Sequence, residues 1–220
     1  AGSNVREAGE DLAIGDLVLE EGMKLTPADI GLLASLGIGE VKVKQNIKVA
    51  FFSTGDELRS VGEELEDGMI YDSNRYTLYG MLARLGVEII DMGVVKDDRD
   101  LMDKAFLEAK DKVDVLITSG GVSVGEADYV KETLLKHGEV DFWKVAMKPG
   151  RPLTFGKLDS TYFFGLPGNP VSVMVTFYQF VQPALKKLLG ENAALPVMMK
   201  VPCISKLKKR PGRVEYQRGI

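Results

Sequence analysis

One stretch constrains this chain more than any other: Thr118 to Tyr129, TSGGVSVGEADY. The apolar run Val113-Asp114-Val115-Leu116-Ile117 precedes it with the character of a buried strand, and residues 127–137 after it carry helical spacing and stop at Gly138. A strand, a glycine-rich turn and a helix start thus follow in order. Gly120, Gly121 and Gly125 let backbone approach a ligand closely, and the N–H groups of the turn and helix N-terminus suit an oxyanion. Ser119 and Ser123 add hydroxyl donors, while Glu126 and Asp128 put two carboxylates where an anion would sit. Either these carboxylates complement the helix dipole, or Mg²⁺ bridges them to a phosphate, which makes a nucleotide with Mg²⁺ the ligand.

The segments around this turn repeat its logic. Lys48 to Ser53 (KVAFFS) predicts a strand, followed by a turn at Thr54-Gly55-Asp56-Glu57-Leu58. Asp72-Ser73-Asn74 are capping residues for a helix running to Gly86, Val87 to Met92 is the next strand, and a helix spans about Arg99 to Lys110. Repeated strand–helix–strand units with short connections predict an α/β fold: a doubly wound, mostly parallel sheet with helices on both faces. Ligands of such sheets bind beyond the carboxyl ends of the strands. Asp56, Glu57, Asp97, Asp98, Glu126 and Asp128 all follow predicted strands and form an acidic rim there; for Asp97 and Asp98, helix capping is an equally good account.

Outside this unit, 47–192, the pattern differs. Residues 1–46 hold a helix announced by Thr26 at the N-cap and Pro27 at the first helical position, and read as part of an N-terminal linker domain. Residues 193–220 read as two strands, Val197 to Ile204 and Val214 to Gln217, around a basic loop, and so as the start of a truncated β domain.

Beyond the central turn, Phe142 to Met147 predicts a strand carrying Lys144 and Lys148 on one face, and the Pro149-Gly150 turn holds Arg151 near them: a compact cationic site ending at Pro152. Leu153 to Phe155 and Tyr162 to Phe164 form a hairpin. Gly165-Leu166-Pro167-Gly168-Asn169-Pro170-Val171-Ser172 is a second strand-to-helix turn, with Pro170 at the first helical position, Ser172 in the first turn, and a largely buried helix to about Leu189.

Composition narrows the chemistry. His137 is the only histidine, expected exposed in a helix's last turn, so Ser-His-Asp and Cys-His catalysis find no base. Cys203 is the only cysteine, which excludes a disulfide framework and a Cys-based metal site. A formal charge of -4 argues against a nucleic-acid binder, despite Lys206, Lys208, Lys209, Arg210 and Arg213 near the C-terminus. No apolar run approaches the ~20 residues of a membrane span, and AGSNVREAGED lacks a signal peptide's apolar region, so a cytoplasmic location is expected.

Taken together, STGDEL (53–58), YDSN (71–74), TSGGVSVGEADY, FWKVAMKPGRP and GLPGNPVS resemble the molybdopterin molybdenumtransferase family (MoeA), which includes the gephyrin E domain. The resemblance implies an enzyme of molybdenum cofactor biosynthesis that inserts molybdate into adenylated molybdopterin with Mg²⁺ and releases AMP, and a homodimer in the complete protein. By motif match, Ser119, Gly120, Gly121, Ser123, Gly125, Glu126 and Asp56 bind nucleotide or molybdopterin. Asp128, Asp97, Glu57, Lys144 and Lys148 are catalytic, with Asp128 and Glu57 on Mg²⁺; Lys148, Arg151, Pro152 and Ser172 face molybdate; and Asp11 matches a further acidic position. Arg151 stands where the family commonly has lysine. The family's polypeptides are considerably longer, which implies a fragment. The alternatives are a molybdopterin adenylyltransferase, which shares the α/β domain and its SGG turn, and a non-catalytic, gephyrin-like scaffold module.

Overall fold

The computed structural model describes residues 4–121, 129–192, 197–209, 211–217 and Gly219. Its centre is a six-stranded sheet. β1 (Lys48–Thr54) has six consecutive buried residues after Lys48, as an apolar strand covered on both faces requires. β4 (Glu88–Val95) lies on one side of it, and β5 (Val115–Ser119), β9 (Thr161–Leu166), β8 (Pro152–Leu158) and β6 (Glu139–Lys144) follow on the other. β4, β1, β5 and β9 are parallel; β8 is antiparallel to both β9 and β6. The short pairs β2 (Leu58–Arg59) with β3 (Ile70–Tyr71), and β7 (Met147–Lys148) with β10 (Val214–Glu215), stand apart from this sheet.

Strand alternation divides the core into two layers. Val49, Phe51, Val115 and Ile117 pack beneath α2 (Ser73–Ala83) and the helical run of α5 (Pro170–Thr176) and α6 (Gln182–Leu188). Ala50, Phe52, Leu116 and Phe163 pack beneath α3 (Arg99–Ala109) and α4 (Tyr129–His137), where the Phe106 ring stands 6.1 Å from Phe52 and 5.3 Å from Phe163. Helices therefore cover both faces of a mostly parallel sheet, the expected doubly wound class. The helix starts follow the sequence's capping residues: Asp72 accepts from the Arg75 N–H at 3.1 Å, and Asn169 from those of Val171 and Ser172 at 3.0 and 3.2 Å. Thr26 and Asp29 form a reciprocal capping box at α1 (Pro27–Ser35).

Three expectations need correction, and one expected helix carries a local irregularity. The strand through Phe142 to Met147 is broken: β6 stops at Lys144, and Met147–Lys148 pairs separately with Val214–Glu215, so Lys144 and Lys148 do not share one strand face. The helix after Pro170 contains a π-helical turn, Phe177–Val181, just before Pro183. A proline cannot donate to the carbonyl four residues back, and the widened turn absorbs the mismatch. Val197 to Ile204 is no strand, because no partner strand lies beside it among the described residues. His137 is half-buried rather than exposed, with Nε2 2.5 Å from Asp103 Oδ1.

Candidate functional site

The chain runs from β1 through α2 to β4 on one side, then through α3 to β5 on the other. The carboxyl ends of β1 and β5 therefore flank the point where strand order reverses, which opens a crevice in such a sheet. Ser53 and Ser119 are register partners at these ends, and Thr118 lies opposite Phe52.

Close backbone approach explains the two glycines that follow. Gly120 has φ +87°, its N–H donates to Leu166 O at 3.2 Å, and a Cβ there would stand 2.4 Å from Thr54 O. A Cβ on Gly121 would stand 2.7 Å from Thr54 Oγ1 and 2.8 Å from Val130 Cγ2. Only glycine lets the β5 turn fold against β1 this tightly. The second turn rests on the first, since a Cβ on Gly168 would lie 3.7 Å from Gly120 Cα. Asn74, in the first turn of α2, anchors that second turn by donating from Nδ2 to Gly168 O at 2.7 Å.

The acidic rim is partly assembled by hydrogen bonds. Thr54 Oγ1 donates to Asp97 Oδ1 at 2.8 Å, and the Asp97 N–H donates to Asp56 Oδ1 at 3.2 Å, joining the ends of β1 and β4. Asp98, by contrast, caps α3 by accepting from the N–H groups of Asp100 and Leu101. The two adjacent aspartates thus divide the roles that sequence left open between them. Asp56 and Glu57 are both exposed. Asp11 is exposed and pairs with Arg6 in the N-terminal stretch, with no hydrogen bond or ion pair to the rim among the described residues.

The cationic turn reaches the same edge because β8 begins where β9 ends. Lys144 is the register partner of Pro152, the Val145 N–H donates to Arg151 O at 3.0 Å, and Lys144, Lys148 and Arg151 are exposed. Gly150, φ +95°, packs so closely on the helix that a Cβ would stand 2.6 Å from Thr176 Cγ2. Ser172, 7% exposed, lies one turn before Thr176 on that helix, so the turn and Ser172 are brought to the same helix face. None of the three cations has an ion-pair partner among the described residues.

Every expected site residue within the described set except Asp11 therefore lies at one end of the sheet: Ser119, Gly120 and Gly121 after β5; Asp56, Glu57 and Asp97 after β1 and β4; Lys144, Lys148, Arg151, Pro152 and Ser172 around β6, β8 and α5. Ser123, Gly125, Glu126 and Asp128 lie outside the described residues. Asp72, which sequence reads as a capping residue, caps α2, and Asn74 bonds the second turn. Buried oxygens without hydrogen-bond partners occur at the ends of β1 and β5, Ser53 Oγ, Ser119 Oγ and, on the opposite sheet face, Thr118 Oγ1, and at the start of α2, Asp72 Oδ2 and Asn74 Oδ1. Unsatisfied buried oxygens of this kind mark a place where a ligand or water supplies the missing bonds.

Chemically, the crevice offers backbone donors and a hydroxyl for phosphate, a cationic turn for a second anion, and carboxylates for a cation or an N–H donor. Comparison with known proteins gives the same chemistry a family. Residues 50–187 match the family described as a probable molybdopterin binding domain, and residues 1–37 match the MoeA N-terminal region (domain I and II). The chain is 52% identical over 218 residues to the molybdopterin molybdenumtransferase of Haemophilus influenzae, covering 99% of this chain and 54% of that protein. It is 40% identical to gephyrin of Dictyostelium discoideum over 86% of this chain and 30% of the relative. The crystal structure of the molybdopterin biosynthesis MoeA protein from Pyrococcus horikosii aligns with TM-score 0.76 at 36% identity, over 84% of this chain and 46% of that one. The chain spans about half the length of the transferases it matches. It belongs to the MoeA family of molybdopterin molybdenumtransferases, which function in molybdenum cofactor biosynthesis.

Proposed function

We propose that this chain carries the nucleotide- and molybdopterin-binding part of an enzyme that inserts molybdate into adenylated molybdopterin and releases AMP. The observation that supports the reading is that a glycine turn, an acidic rim and a cationic turn lie at one end of the sheet. In this reading residues 47–192 are the ligand-binding domain, 1–46 belong to a linker domain and 193–220 to a β domain; the complete protein is a homodimer acting in the cytoplasm.

Each group has a task set by its chemistry. The Gly120 and Gly121 turn and the Ser119 hydroxyl hold the adenylate phosphates, with Ser123, Gly125 and Glu126 completing that loop. Lys148, Arg151 and Ser172, beside Pro152, bind the molybdate dianion, and Lys144 adds positive charge where phosphate charge develops as the anhydride is cleaved. The rim offers carboxylates to Mg²⁺: Asp56 and Asp97 each use one oxygen in the hydrogen bonds that join them to neighbouring strand ends. One or two protein carboxylates would be enough to hold such an ion beside a phosphate. Glu57 and Asp128 would hold it, and when bound it stabilises negative charge on phosphate.

The test is calorimetric titration of the 220-residue chain with AMP, with and without Mg²⁺, alongside an assay of AMP release by a protein of the relatives' full length. Mg²⁺-dependent AMP binding weakened by Asp128→Asn, and AMP release that requires molybdate, are expected. ATP-dependent pyrophosphate release instead would make the protein an adenylyltransferase.

A further inference from the structure

The arm between β1 and α2, residues 55–71, carries Asp56 and Glu57. No residue from Asp56 to Tyr71 is buried, and among the described residues its two-residue strands β2 and β3 pair only with each other. With so little apolar burial, polar contacts set its pose against the sheet. The backbone supplies some of them: the Ile70 N–H donates to Glu57 O and the Asp72 N–H to Arg59 O, both at 2.9 Å. Arg59 braces the turn itself, Nη1 donating to Asp56 O at 3.1 Å and to Leu58 O at 2.9 Å. Arg75, in the first turn of α2, reaches the arm from the body of the domain. Its Nε donates to both Asp91 oxygens, at 2.8 and 2.9 Å, and its Nη1 donates to Ser60 Oγ at 3.2 Å. Asp91 is itself oriented on β4, accepting from the Gly93 N–H at 2.9 Å. One guanidinium thus joins α2, β4 and the arm, in directions fixed by its planar fork.

The start of the arm bears on the acidic rim. The Asp97 N–H donates to Asp56 Oδ1 at 3.2 Å, and the Glu57 carboxylate folds back over Gly55, where a Cβ would stand 2.6 Å from Oε2. Both carboxylates keep these places only while the turn keeps its pose. We propose that Arg75 is a positioning residue for the acidic rim: by strapping Ser60 to Asp91 it holds the arm where Asp56 and Glu57 meet the ligand at the end of β1. This deepens the functional reading above and rests on it for the identity of that ligand.

The experiment is amide hydrogen exchange, followed by NMR, on the 220-residue chain and its Ser60→Ala, Ser60→Thr and Arg75→Lys variants, paired with AMP titration in the presence of Mg²⁺. Ser60→Ala removes the acceptor and leaves the Arg75–Asp91 pair in place. It is expected to speed exchange of the Ile70 and Asp97 amides about tenfold and to weaken AMP binding about fivefold, with the β5 amides and thermal unfolding unchanged. Ser60→Thr keeps the hydroxyl and is expected to retain the parent values. Arg75→Lys keeps a cation beside Asp91 without a second donor in a fixed direction, and is expected to match Ser60→Ala. Unchanged exchange of the arm in Ser60→Ala, or a Ser60→Thr variant as loose as Ser60→Ala, overturns the strap; faster exchange with undiminished AMP binding overturns its role in the site. Should Arg75→Lys fail to fold, the two Ser60 variants decide alone. If the parent chain binds no AMP, the nucleotide reading fails, and exchange of the Asp97 amide, which reports the Asp56 contact, decides the positioning role by itself.

Discussion

At the scale of single residues, steric room decides more than charge. Gly120 cannot accept a side chain, because φ +87° and a Cβ 2.4 Å from Thr54 O forbid it together. Gly120→Ala is expected to displace the turn from β1, lowering stability by roughly 1–3 kcal/mol and weakening AMP binding more than tenfold, checked by urea unfolding and calorimetry. Gly168→Ala is the control, since its Cβ would meet only Gly120 Cα, at an ordinary 3.7 Å, and a far smaller effect on both readouts is expected. The glycines of SGG read in sequence as positions of close backbone approach, and they are. That they fit against Thr54 was not legible there, because nothing local in the sequence shows which strand lies beside the turn. Asp97 and Asp98 make the same point: adjacent acids after a strand look alike until Thr54, 43 residues away, claims one of them.

Between elements, the clearest tie joins α3 to α4. Asp103 faces both His137 and Lys136, and Arg99 meets Glu132 at 2.7 Å. The hydrogen bond from His137 first, then that from Lys136, holds the Asp103 carboxyl below its ordinary 3.8. A carboxyl depressed in the folded state adds stability above its unfolded value and loses it as pH falls through the folded one. The stability gap between the parent chain and Asp103→Asn is therefore expected at neutral pH and should close below 3.8, measured by urea unfolding across that range. A gap independent of pH would show that packing, not charge, is lost. Helix periodicity announced both helices, but not that the lone histidine points inward, because α3 and α4 meet across 34 residues of chain. Core substitutions belong to this scale too. Phe52→Ala empties a site between Phe106 and its neighbours and is expected to cost about 3–5 kcal/mol, whereas Ile30→Ser, at a 60% exposed position of α1, should cost under about 0.5 kcal/mol in the same unfolding assay.

For the whole molecule, the fold class was readable because strand and helix patterns alternate from Lys48 to Lys144, and parallel sheets admit few topologies. The final segment was not readable in the same way. Val197 to Ile204 has a strand's composition, but a strand exists only against a partner. The site was legible as motifs and illegible as geometry, since its parts lie in stretches as far apart as Asp56 and Ser172. Residues so distant in sequence share an edge because the chain doubles back on both sides of β8, at the turn before it and at the β8–β9 hairpin. Had β8 run parallel to β9, the KPGRP turn would emerge at the opposite rim, on the order of 20 Å from the glycine turn, and no single ligand would span both. The antiparallel strand is thus a switch of polarity written into topology: reversing one strand brings the cationic turn and the glycine turn to the same rim of the sheet.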